Sequence, residues 1–175
     1  MIDQINSLSA IATEFSNFAK MPQAKNEALE IGKKITDTLR LFENTDNVVL
    51  TFKKRYEGEI YVNADKEQLL RAFMNLFKNA IQSVPDSRKG MIEVEARLKQ
   101  NNSFVLITIS DNGKGIEDGM KEKLFQPNFT TKTSGMGLGL AIVKNIVETS
   151  GGKIWFETKP GIGTQFFIEF PVFLR

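Results

Sequence analysis

Apolar residues recur along this chain with two periods, and the switches between them mark its elements. Ile5, Leu8, Ala12, Phe15 and Ala19 are spaced by three and four, which predicts a helix over 2–20 with a narrow seam. Ile2, Ile11 and Phe18 widen that stripe. Such a seam suits a helix packed on its own domain or, better given the boundary that follows, half of a helical hairpin whose partner is missing or supplied by a second chain. Met21-Pro22-Gln23 should stop it, because proline lacks a donor and disfavours helix just before itself. Ala28, Ile31, Ile35, Leu39 and Phe42 share one face of a second helix, from about Asn26 to Phe42. Asn44 to Asn47 reads as a turn. Val48–Lys53 and Glu59–Val62 then predict a strand pair around Glu57-Gly58. Asp65 is placed to cap a third helix, with Gln68 completing a capping-box-like pattern, and that helix runs to about Val84.

The period then falls to two. Ile92, Val94, Ala96 and Leu98 face one way, and Glu93, Glu95 and Arg97 the other. Phe104–Ser110 is apolar on both faces, which predicts a central strand. A short helix is expected over 117–125, then a long loop over 126–135 with no clear period. A helix follows over 137–149, closed by Gly151-Gly152. Lys153–Thr158 and Thr164–Pro171 make a last hairpin around Pro160-Gly161-Ile162-Gly163.

The third helix carries a feature that its packing does not require. Opposite its apolar face of Leu69, Phe73, Leu76, Phe77, Ala80 and Val84 runs a polar stripe of Gln68, Arg71, Asn75, Asn79 and Gln82. A solvated face would account for polarity. Asn is nonetheless a poor helix-interior residue, and here two of them stand one turn apart. Their amide oxygens are hard neutral ligands suited to Mg²⁺. Asp111-Asn112-Gly113-Lys114-Gly115-Ile116 ends the central strand, so an Asp carboxylate can sit in a pocket wall and accept from an amino group such as that of adenine. Alone, that hexapeptide reads as an ordinary turn. Gly135, Gly137 and Gly139 open directly into a helix, where bare amides and the dipole favour an anion, most naturally a phosphate.

Composition narrows the chemistry. At 175 residues the chain has room for one domain and a short appendage. It contains no Cys and no His, which removes thiolate sites and imidazole acid–base catalysis. A net charge of +2 gives no case for nucleic acid. With no long apolar run and no leader pattern, a cytoplasmic setting is expected.

The ordered set NLFKNA (75–80), DNGKGI (111–116), LFQPNFTTK (124–132), GMGLGLAIVK (135–144) and GIGT (161–164) resembles the catalytic, ATP-binding domain of sensor histidine kinases. These kinases share a superfamily with gyrase, Hsp90 and MutL. The resemblance covers roughly 26–172. EFSNFAKMP (14–22) resembles the end of the second helix of a dimerisation and histidine-phosphotransfer hairpin, of the kind in nitrogen-regulation sensor kinases. It implies two parts, an incomplete hairpin helix over 1–22 and a catalytic domain over 24–175. The implied fold is an α/β (α+β) two-layer sandwich, a mixed sheet of about five strands with helices on one face and an ATP lid.

By resemblance, Asn79 is the Mg²⁺ ligand, Asn75 lies beside the phosphates and Asp111 takes the adenine amino group. Gly113 and Gly115 give the base room, with Ile116 at the same motif. Phe125 and Phe129 anchor a lid from about Gln126 to Met136, and Thr131 and Lys132 approach the phosphates from it. Gly135, Gly137 and Gly139 form hinge and phosphate turn, with Leu138 and Leu140 alongside, and Thr164 borders the nucleotide. Asn75, Asn79 and Lys132 are the implied catalytic set. Met136, Asn128 and Gln82 depart from the family's usual residues. ATP and ADP are the implied ligands, with Mg²⁺. The implied partners are the histidine-bearing hairpin of a parent kinase and, through that parent, a response regulator. Pairing through residues 1–20 and membrane anchoring of the parent stay open. Because this chain has no His, the phosphoacceptor is expected upstream of residue 1.

Three other readings share some of these features. Superfamily ATPases carry a Glu one turn before the metal Asn, and position 75 here is Asn, which cannot act as a base. An anti-sigma type serine kinase has similar motifs but not the N-terminal hairpin-like helix. An ATP-gated binding or dimerisation module would keep nucleotide binding without transfer.

Overall fold

A computed structural model describes residues 23–127 and 137–174. The helix expected over 2–20 lies outside the described residues, as do Asn128, Phe129, Thr131, Lys132, Gly135 and Met136.

The elements are β1 (Asn26–Glu30), α1 (Ile31–Arg40), β2 (Val48–Arg55), β3 (Tyr61–Asp65), α2 (Lys66–Ser83), β4 (Gly90–Lys99), β5 (Phe104–Asp111), a 3₁₀ segment (Asp118–Lys123), α3 (Gly139–Thr149), β6 (Lys153–Lys159) and β7 (Gly163–Pro171). Five strands form one mixed sheet in the order β2-β4-β5-β7-β6, with β5 central as its two-sided apolarity predicts. β2 and β4 run parallel, and the other pairs are antiparallel.

Alternation decides which face is covered. Ile92, Val94 and Ala96 of β4, Val105, Ile107 and Ile109 of β5, and Phe166, Ile168 and Phe170 of β7 are buried in one core. The same core holds Leu69, Phe73, Leu76, Phe77 and Ala80 of α2 and Ile142, Val143, Ile146 and Val147 of α3. The helices therefore cover that face, and hydrophobic burial there dominates the stability. On the other face, Lys53 pairs with Glu93, and Arg55 with Glu95 at 3.3 Å, across the β2–β4 seam. Trp155 stacks on Phe167 there with ring centroids 5.3 Å apart.

Two expectations are corrected. Residues 26–30 are not the start of a helix; they form β1, paired antiparallel with β3 from Asn26↔Asp65 to Glu30↔Tyr61. The helix begins only at Ile31, because Glu30 caps it: the carboxylate accepts from Gly32 N at 3.0 Å and from Lys33 N. Nor do β2 and β3 form a hairpin. Gly58, with φ +71°, lets the chain reverse, yet β2 joins β4 and β3 joins β1 in a second, two-stranded sheet.

The other boundaries agree with the pattern. Asp65 caps α2, its Oδ1 accepting from Glu67 N and Gln68 N at 3.0 Å each. Gly151 and Gly152 close α3: Gly152 N donates to Val147 O at 2.9 Å and Gly151 N to Glu148 O at 3.0 Å, with Gly151 at φ +74°. Among the described residues no helix is long and apolar enough to cross a membrane.

Candidate functional site

The register carries the core face to one end of the sheet, where its apolar rows give way to polar ones. Ile109 pairs with Phe166, and the next inward-facing row is Asp111 with Thr164 and, beyond it, Thr158. Asp111 is thus set on the helix-covered side at the end of the central strand. Its Oδ1 accepts from Ser83 Oγ at 2.8 Å, Gly113 N at 2.8 Å and Thr164 N at 3.3 Å. The carboxylate is consequently held in one orientation by a helix end, a loop and a strand.

Close approach explains the glycines here. A Cβ at Gly113 would meet Ser83 Oγ at 1.9 Å, and one at Gly163 would meet the Asp111 carbonyl oxygen at 1.9 Å. Gly115 sits at φ +69° against the Lys159 carbonyl. Ile116 N donates to Thr158 Oγ1 at 3.0 Å, and Thr158 and Thr164 hydroxyls lie 3.0 Å apart. Thr164 is buried.

Asn112 does not point to chemistry. Its Nδ2 donates to Lys89 O at 2.9 Å and its Oδ1 accepts from Met91 N at 2.8 Å, so it ties the end of β5 to the start of β4.

The second cluster lies one and two turns back along α2. Ser83, Asn79 and Asn75 are spaced by four, hence on one helix face and about 6 Å apart along the axis. Asn75 and Asn79 are both part-buried. The N-terminus of α3 comes up to this face, and a Cβ on Gly139 would lie 3.4 Å from Asn75 Oδ1. Gly137 just before it has φ +68°. Leu138, at the N-cap, offers no side-chain hydrogen bond to the first turn, whereas α1 and α2 are each capped by a carboxylate. First-turn amides that the N-cap side chain does not satisfy, and a positive dipole end, are features that favour an anion. The Leu138 side chain itself is buried in the core, and Leu140 is partly buried against it.

Phe125 sits with Phe156 and Phe166, ring centroids at 5.9 and 6.4 Å, and Lys144 Nζ lies 5.9 Å from its ring centre. It pins the chain to the sheet just before the segment predicted as a lid.

This arrangement of Asp111 at one end and the start of α3 at the other agrees with what comparison with known proteins finds. The model of the histidine kinase-, DNA gyrase B- and HSP90-like ATPase family matches residues 64–173. This chain belongs to that family. Within it, the chain is 34% identical to sensor histidine kinase ZraS of Salmonella typhi, over its whole length and 37% of ZraS. It is also 34% identical to sporulation kinase A of Bacillus subtilis (strain 168), over 98% of this chain and 28% of that kinase. The chain thus spans about a third of the length of the curated relatives it matches. The catalytic domain of histidine kinase ThkA, in a nucleotide-free form, superposes with a TM-score of 0.73 at 32% identity, over 84% of this chain and 95% of that one. ThkA in complex with response regulator protein TrrA gives 0.78 at 28% identity, over 97% of this chain and 48% of that one.

The chain therefore carries the ATP-binding catalytic domain of the histidine kinase kind, with the mixed five-stranded sheet that its motifs implied. Asp111, Gly113, Gly115, Ile116 and Thr164 gather at one end of the site. Asn75, Gly137, Leu138 and Gly139 gather at the other, with Asn79 between them on α2. The pattern reading did not single out Ser83 or Thr158. Ser83 had a signal available, since it continues the four-residue spacing of Asn75 and Asn79. Gln82, which was singled out, is exposed.

The donor set also fits a magnesium ion. Among the described residues no three Asp, Glu, His or Cys side chains group as a metal cage. Mg²⁺ asks for little from the protein, because it keeps waters and shares phosphate oxygens. A single amide oxygen such as that of Asn79 is in keeping with that demand.

Proposed function

We propose that this domain binds Mg-ATP and passes the γ-phosphoryl group to a histidine in another polypeptide segment. The observation that carries the reading is the pairing of the Gly137–Gly139 turn with Asn75. A triphosphate seated on that turn would lie against an amide, which cannot take a proton from water. The groove then serves transfer rather than hydrolysis. Asp111 orients the base, Asn79 holds the metal, and the amides at the start of α3 hold the phosphates. Lys132 and Thr131 would approach the phosphates from the lid, which Phe125 and Phe129 would anchor and Gly135 would hinge. Mg²⁺ supplies neutralisation of phosphate charge. In the transfer, an imidazole nitrogen bonds to the γ-phosphorus, the bond to the β–γ bridging oxygen breaks, and ADP leaves. The imidazole proton goes to a base outside this chain.

The same proposal assigns residues 1–22 to the second helix of a dimerisation and phosphotransfer hairpin, and 24–175 to the catalytic domain. It places the domain in the cytoplasm and makes a response regulator the eventual acceptor; the structure of ThkA in complex with response regulator protein TrrA is in keeping with such a partner.

Binding is tested by calorimetry with ATP at varied Mg²⁺. Asn79→Ala should abolish the Mg²⁺ dependence that the wild type shows; an unchanged metal titration would remove Asn79 from the metal site. Steady release of free phosphate by the chain alone would favour the hydrolytic reading.

A further inference from the structure

The turn between α2 and β4 carries a cation that the nucleotide reading leaves without a role. Arg88 Nη1 donates to the Asn112 carbonyl at 2.6 Å, and the guanidinium reaches the carbonyls of Gly113 and Gly161 at 3.4 Å. Its own backbone is held as well. Arg88 N donates to Pro85 O at 2.9 Å, and Asn47 Nδ2 donates to Arg88 O at 3.1 Å.

These carbonyls belong to the two backbone segments that clasp Asp111. Gly113 N and Thr164 N both donate to Asp111 Oδ1, and Gly161 lies in the turn that leads into Thr164. Lys114 adds a second tie between the segments, since Gly161 N donates to its carbonyl at 2.7 Å. A guanidinium offers five donors in a planar fork and can hold several carbonyls at once, which an ammonium cannot do with the same geometry.

We infer that Arg88 is a positioning residue for base recognition. It fixes the spacing of the 112–113 and 161–164 segments and thereby aims the Asp111 carboxylate at the exocyclic amino group of the base. The inference rests on the nucleotide-binding reading above. It confines the effect to one end of the groove. The hydrogen bonds of Arg88 all go to the Asp111 end, whereas Asn75 lies eight residues before Ser83 on α2, about 12 Å along the helix.

The test is calorimetry of the full chain with Mg²⁺ and ADP, on wild type, Arg88→Ala, Asp111→Asn and the double variant. Arg88→Ala should weaken ADP binding about tenfold, the scale of lost hydrogen bonds to a charged group. The same change made on Asp111→Asn should cost almost nothing further, because the group that Arg88 positions is already gone. The Mg²⁺ midpoint for ATP should not move. Arg88→Lys keeps the charge without the fork, gives a second readout should the alanine variant fold poorly, and should fall between the two. Losses that simply multiply in the double variant would make Arg88 a general stabiliser and overturn the inference, as would wild-type affinity in Arg88→Lys. A wild type that binds no ADP at all would instead sink the nucleotide reading itself.

Discussion

At the scale of the residue, the site depends on contacts too close for a side chain. Gly163, at φ +149°, holds its Cα against the Asp111 carbonyl, and the atom that a Cβ would strike is backbone. No rotamer relieves that clash, so Gly163→Ala should cost about 3 kcal/mol or more of stability. Urea unfolding measures it, and a midpoint within error of wild type would show that the β7 start can shift. Asp111→Asn leaves the packing almost unchanged but turns an acceptor-only group into one that also donates. It should weaken adenine nucleotide binding by about tenfold or more, read by calorimetry. An unchanged affinity would remove Asp111 from base recognition. The sequence shows Asp111 and the glycines because their types are unusual at a strand end. It does not show that Asn112 is a strand tie, since side-chain bonds to Lys89 O and Met91 N depend on a β4–β5 pairing formed only on folding. The spacing of Asn75 and Asn79 points to Ser83, but its bond to Asp111, 28 residues away, is hidden for the same reason.

At the scale of the element, α2 links the two ends of the site, Ser83 bonding to Asp111 and Asn75 facing the start of α3. Phe77 stacks with Phe73 at 5.9 Å and meets Phe42 edge-on at 6.2 Å, fully buried. Phe77→Ala should destabilise by about 3–5 kcal/mol, measured by denaturant titration; a loss below about 1 kcal/mol would mean the core closes over the gap. Asp65 sets where α2 starts. The Gln68 backbone N–H, followed by those of Lys25 and Glu67, holds its carboxyl below the usual carboxylate range. A lowered folded value means the stabilisation is present above the unfolded pKa and is lost as pH falls through the folded one. Asp65→Ala should therefore cost about 1 kcal/mol near neutral pH. The gap to wild type should close as pH drops below about 4, and a gap that persists in acid would deny the carboxylate its role. Element boundaries were legible where caps follow the common rule, as at Asp65 and Gly151-Gly152. They failed at 26–31, because Glu is not a usual N-cap and Ala28, Ile31 and Ile35 mimic a helical spacing across the β1–α1 junction. The pairings of β2 and β3 were also missed. A Gly-bearing turn between two short apolar runs signals a hairpin locally, whereas the ion pairs of Lys53 and Arg55 to β4 are a long-range choice.

At the scale of the whole molecule, the proposed reading puts a base at the Asp111 end and phosphates at the start of α3, on the helix-covered side of a mixed sheet. On that reading, the amide at position 75, facing the start of α3, argues against hydrolysis. The central claim is transfer to a histidine that this chain does not contain. The most direct measurement is a time course with γ-labelled ATP and Mg²⁺, with the chain alone and with a separate helical hairpin bearing a histidine. The account predicts acid-labile label on the hairpin, dependent on Asn79, and little free phosphate without it. Free phosphate released steadily by the chain alone, with the hairpin unlabelled, would contradict it and make Asn75 no barrier to hydrolysis.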